Sequence, residues 1–179
     1  LDDMLENGTV ISETMIEKPH SFSTACNVAT QAVAQIASSQ YGGQSISLSH
    51  LVPFVQVSRE KYRKEVAYEF AQSGIEADEE TINKVAELRV QKEVKQGVQM
   101  IQYQVITLMT TNGQSPFVTL FLNLDENNEY IEENAMIVEE ILRQRLEGIK
   151  NEKGVYVTPA FPKLIYVLDE NNCLKGGKY

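Results

Sequence analysis

The chain is short of cysteine, of positive charge and of long apolar runs, and each shortage argues against a class of function. Its two cysteines, Cys26 and Cys173, stand far apart with no metal-ligand spacing around them. That argues against a disulfide framework or a zinc site and fits a reducing cytosol, so the expected location is cytoplasmic and no metal is expected. Lysine and arginine number 16 against 25 acidic residues, a formal net charge of −9. A protein that tracks a phosphate backbone carries a basic surplus, so nucleic acid is not an expected partner. A single nucleotide remains open, because one triphosphate needs only a local group of donors. No apolar run approaches the roughly 20 residues that cross a bilayer, and the first residues do not form a secretory leader, so no membrane partner is expected. Nor does a repeat, a low-complexity tract, a Walker-type phosphate loop, a Ser-His-Asp arrangement or a paired-carboxylate site stand out.

What is present is ordinary globular material: 179 residues, 42% hydrophobic and 23% charged, enough for one domain with a core. The chain begins at Leu1 in sequence that already reads as structured, so it is expected to be an excised segment. Ser21 to Thr24 offer N-caps for a helix from about 25 to 40, lined with alanines that let another backbone approach. Tyr41-Gly42-Gly43 offers a glycine for a left-handed C-cap. Ile46 to Phe54 read as an apolar connector around His50. Ser58 can cap a helix to about 72, and Asp78 can start a long one to about 109. That helix has an apolar stripe from Ile82 to Leu108, interrupted only by Gly97. Phe117 to Leu122 and Lys163 to Leu168 read as buried strands. Between them a helix from about 127 to 150 would bury Ile131, Ala135, Val138, Ile141, Leu142 and Leu146. Strand, helix and strand in that order predict parallel pairing. Two such strands do not make an independent sheet, so their neighbours are expected outside the segment.

Several separated blocks carry a resemblance: Ser23-Thr24-Ala25-Cys26-Asn27, then Gln31 and Tyr41-Gly42-Gly43, then Asn112 to Thr119, then Ala160-Phe161-Pro162-Lys163-Leu164. In this order they resemble the catalytic subunit of the oxygen-sensitive, glycyl-radical (class III) anaerobic ribonucleoside-triphosphate reductases. Leu1-Asp2-Asp3-Met4-Leu5 is similar to the tail of that family's asparagine-cysteine motif, just past its cysteine. The resemblance implies an α/β fold: part of a ten-stranded α/β barrel of the glycyl-radical enzyme type, with long dimer-forming helices. Residues 1–179 would be a fragment of one catalytic barrel domain, with a helical effector and dimer region at about 20–110 and a strand-helix-strand portion at about 115–170. It implies reduction of ribonucleoside triphosphates by a glycyl radical that an iron-sulfur, SAM-dependent activase installs. The glycine and both reacting cysteines would lie outside the chain, which leaves no catalytic residue and no cofactor within it. Cys26 then reads as a small buried hydrophobe, with no base or cation nearby to activate it. His50 reads as a connector residue.

The resemblance also implies a specificity site for deoxynucleoside triphosphates or ATP where helices of two subunits meet. Carried over residue by residue, it points to His20, Ser21, Gln31 and Lys61, with Gln104, and with it Gln102, reaching the same site. A helix N-terminus offers free N–H groups and partial positive charge to phosphates. Lys61 adds charge with Arg59, Arg63 and Lys64 nearby, and Gln31 offers a donor and an acceptor. His20 stands where the family often has lysine, which makes its hold on phosphate depend on pH. Plainer readings exist for each: a loop residue for His20, a solvated helix face for Lys61, a half-buried polar residue for Gln31. Asn112 and Gln114 read as turn residues or as substrate-side contacts at a barrel rim. Two functions follow: an enzyme fragment, inactive alone, of a homodimeric reductase that takes nucleoside triphosphates, or a non-catalytic nucleotide-binding and dimerisation module. An unrelated α/β domain is a third reading.

Overall fold

The computed structural model describes every residue except 12, 41, 109–112, 114, 126 and 179. A short helix α1 (Asp2–Asn7) leads into a hairpin, β1 (Thr9–Ile11) with β2 (Thr14–Ile16), which leans on helix α2 (Phe22–Ser39). Strand β3 (Gln44–Ser47) and a single 3-10 turn then precede α3 (Pro53–Gln72) and α4 (Glu79–Thr107). Next come β4 (Val118–Leu122), α5 (Ile131–Glu147), a two-residue hairpin of β5 (Ile149–Lys150) and β6 (Tyr156–Val157), β7 (Lys163–Tyr166) and the short α6 (Glu170–Cys173). Among the described residues no helix is long and apolar enough to cross a membrane.

The architecture is mixed α/β, as expected, with β4, α5 and β7 forming the predicted parallel unit. A third parallel strand, β3, lies within the chain and pairs on the other side of β4, Gln44 opposite Val118. The expectation that β4's other neighbour lay outside the segment is thereby corrected. β4 is the central strand, with Val118, Leu120 and Leu122 buried. β7 is not the buried strand expected: it is an edge, and Ile165 and Leu168 are 43% and 68% exposed.

Helix α4 is the axis of the helical layer, 29 residues and about 43 Å long at 1.5 Å per residue. Asp78 caps it, accepting from Thr81 N–H at 2.8 Å. α2 runs parallel to it, since Ser23 meets Glu93, Cys26 meets Gly97 and Thr30 meets Gln104. Gly97 is the point of closest approach. A Cβ there would lie 2.7 Å from the Phe22 ring and 3.1 Å from Cys26 Sγ. Phe22 is fully buried in that slot, worth on the order of 2–3 kcal/mol of transfer free energy.

Several helix boundaries differ from expectation, α5 among them, which runs Ile131–Glu147 rather than from about 127 to 150. α2 starts at Phe22, earlier than expected, and ends on an extended Gln40 rather than a left-handed glycine. α3 starts at Pro53, because proline's fixed φ suits the first helical position. Ser58 therefore lies inside α3 and caps a different helix. On α5 the buried face is Asn134, Ile137, Val138 and Ile141, while Leu142 and Leu146 are 43% and 86% exposed. Arg59 joins α3, α4 and α5 by bonding Gln56, Glu87 and Glu133, and the two carboxylates hold its guanidinium firmly charged.

Candidate functional site

The first turn of α2 leaves backbone N–H groups that need partners, and three different elements supply them. Ser21, the N-cap, accepts from Thr24 N–H at 3.2 Å through its Oγ. Ser58 of α3, fully buried, accepts from Phe22 N–H at 2.8 Å. Glu93 of α4 accepts from Ser23 N–H at 3.1 Å through Oε1. The leading amides that the sequence reading offers to phosphates are therefore already bonded, one of them to a carboxylate. A negative group at this end of a helix is favoured by the dipole, and the fold fills the position internally.

Glu93 is 5% exposed, and its Oε2 is buried without a hydrogen-bond partner among the described residues. Its charge is felt nearby. Burial, then the Glu93 carboxylate, push the Cys26 thiol well above its ordinary value. The Tyr62 phenol is raised by the same two causes in the same order. Cys26 is thus a buried, protonated thiol, as a small core residue should be. Cys173 is exposed. His50 Nδ1 lies 3.1 Å from Asp2 Oδ1, tying the 3-10 turn to α1.

The structure sorts the expected effector residues into two groups on α2. His20 is exposed beside the buried N-cap Ser21, and the Ser58 turn brings α3 against this end. Lys61, one turn on from Ser58, is exposed, 3.9 Å from Glu65 Oε1 and 5.9 Å from the Tyr62 ring centroid. Of the basic neighbours expected to help it, Arg59 and Arg63 are not free. Arg59 is held as above, and Arg63 bonds Asn83 and pairs with Glu79.

The second group lies midway along α2, about 15 Å further by helical rise. Gln31 is exposed and lines an open groove of about 460 Å³ with Ile11, Thr14 and Ile16 of the β1–β2 hairpin. The adjacent Thr30 donates its hydroxyl to Gln104 Oε1 and to the Asn27 carbonyl. Gln104 thus meets α2 at Thr30, whereas Gln31, about 100° further round the helix, faces the hairpin groove. Gln102 does not meet α2: two residues from Gln104 it points about 200° away around α4, towards α5. Asn112 and Gln114 lie outside the described residues.

The sequence does not single out Glu93 or Thr30, and it offers Ser58 only as a cap for its own helix rather than for α2. A signal for Glu93 was present, since an acidic residue spaced three from Val90 and four from Gly97 falls inside the apolar stripe. Ser58 carried none beyond being a serine.

A long axial helix with a capped partner helix beside it, together with a parallel βαβ unit, makes a mixed α/β layer. The family model for anaerobic ribonucleoside-triphosphate reductase matches residues 1–179. The reductase of that name from Escherichia coli is 39% identical over 180 residues, covering 98% of this chain and 23% of that protein. That of Haemophilus influenzae is 36% identical over 171 residues, covering 94% and 22%. The bacteriophage T4 enzyme is 35% identical over 170 residues, covering 95% and 26%. The chain belongs to the anaerobic ribonucleoside-triphosphate reductase family and spans about a quarter of the length of these relatives.

Proposed function

We propose that this chain is the part of an anaerobic ribonucleoside-triphosphate reductase that senses a deoxynucleoside triphosphate or ATP, and that it contains no residue that performs the radical step. The parent enzyme reduces ribonucleoside triphosphates with a glycyl radical, installed by an iron-sulfur, SAM-dependent activase and held outside residues 1–179. Two copies meet through the helical layer, and β3, β4 and β7 are the beginning of a ten-stranded barrel.

The observation that supports the sensing role is the arrangement of α2. It carries His20 and Ser21 at one end, where Phe22 bonds Ser58 of α3 one turn before Lys61, and exposed Gln31 midway, next to the Thr30 that bonds Gln104. Lys61 then meets phosphate as a point charge, and Gln31 meets base or sugar with a donor and an acceptor. With the Phe22, Ser23 and Thr24 amides occupied, side chains carry the contact rather than the helix terminus.

Calorimetric titration with the four deoxynucleoside triphosphates tests this. Binding of at least one of them, lost in Lys61→Ala and in Gln31→Ala, is the expected result. Binding that survives both substitutions rejects the assignment. Deoxynucleotide formation by the purified chain would overturn the claim that the radical residues lie elsewhere.

A further inference from the structure

We propose that the opposite side of α4, where it faces α5 and the β5–β6 hairpin, holds a second ligand site suited to a nucleoside phosphate and separate from the sensing residues of α2. A cavity of about 380 Å³ opens there, within the range of small-molecule sites. Lys95, Gln102 and Tyr103 of α4, Glu147 of α5, and Lys150 and Tyr156 of the hairpin line it.

The observation that points to a ligand is Gln102. It is 3% exposed, and its Nε2 is buried with no hydrogen-bond partner among the described residues. Leaving a buried amide donor unmade is costly, whereas a ligand acceptor in the cavity would satisfy it. The tyrosines supply the second requirement. Tyr103 and Tyr156 are 58% and 61% exposed beside the cavity, so Tyr103, and the face of Tyr156 away from Lys150, can stack with a flat ring.

Charge supplies the third. Lys150 Nζ stands 5.3 Å from the Tyr156 ring centroid, so a cation and an aromatic face are presented together. Lys95 and Lys150 are both exposed, and neither is held in an ion pair among the described residues. Glu147 in the same wall accepts from ribose hydroxyls and repels a bare polyanion, which favours a ring carrying one phosphate.

Titration of the 179-residue chain with AMP, adenosine and inorganic phosphate, followed by calorimetry, tests the site. AMP is expected to bind about tenfold or more tightly than either part alone. A Lys95→Ala, Lys150→Ala double variant should weaken AMP about tenfold, and Lys84→Ala, at an exposed α4 lysine outside both sites, should leave it unchanged. Absence of AMP binding at millimolar concentration overturns the proposal. So does AMP binding that is lost in Lys61→Ala yet unaffected in the double variant, which would assign it to the α2 residues. If the double variant does not fold, the side-chain amide resonance of Gln102 in the unmodified chain decides. It shifts on adding AMP if the site exists and stays fixed if it does not.

Discussion

The two sides of α4 are built on different terms. Towards α2 the helices touch at Gly97, and the leading amides of α2 are bonded to Ser21, Ser58 and Glu93. Towards α5 the contact is looser. A cavity opens, Leu88 and Leu146 are 66% and 86% exposed, and Gln102 holds a buried donor with no partner among the described residues. Both sides carry polar residues, so composition does not separate them. What separates them is whether the buried donors are bonded: the leading amides of α2 are, and Gln102 Nε2 is not among the described residues. The α2 side holds the fold together, and the α5 side keeps unused bonding capacity.

The largest effect that would break this contrast is expected at Gly97. Gly97→Val puts a branched side chain where a Cβ alone would lie 2.7 Å from Phe22, and should destabilise by about 3 kcal/mol. Urea unfolding measures it, and a loss well under 1 kcal/mol would show that the slot relaxes cheaply. Ser58→Ala comes next. It strands the buried Phe22 N–H now bonded at 2.8 Å, an expected loss of about 2 kcal/mol in the same assay.

On the α5 side the sign should reverse. Gln102→Leu replaces an amide whose N–H has no partner among the described residues by an apolar group of similar size, and should raise stability by about 1 kcal/mol. Destabilisation there would mean that the two sides do not differ as described. The smallest effect belongs to Asp78, the cap that serves both sides. Hydrogen bonds from the Thr81 side chain and N–H hold its carboxyl below the ordinary range. Its contribution is therefore complete above the unfolded value of about 3.9 and fades as pH falls through the lower folded value. Asp78→Asn keeps a capping side chain and should remove that acid-side dependence from a plot of stability against pH.

The parts of the fold legible in the sequence are those whose signal is local. Asp78 and Ser21 are capping residues directly before helices, and Val118 to Leu122 alternate within a dense apolar run. β3 was not legible because Gln-Ser-Ile-Ser has no apolar alternation, and it becomes a strand only by pairing with β4. α3 was read short because Ser58 is a good cap by type, yet its hydroxyl serves Phe22, 36 residues away in sequence. Leu142 and Leu146 fit a helical stripe but fall on a surface that the described residues leave open. Of the site, the residue identities came from family resemblance. Their division into two groups, and the occupation of the α2 amides by Ser58 and Glu93, needed the packing.

The register of the sheet has a consequence for how the chain assembles. Gln44 pairs with Val118 and Thr119 with Lys163, so pairing β3 with β4 closes a loop that holds the whole α3–α4 hairpin. Closing loops that long is entropically expensive before any strand contact compensates. The α3–α4 hairpin, whose side-chain bonds span 20 to 28 residues, should therefore gather first, and the α2–α4 and β3–β4 contacts, which span 70 to 74, should close later. Refolding followed by helical signal and by protection of the β4 amides would then show two separable phases, the second the slower.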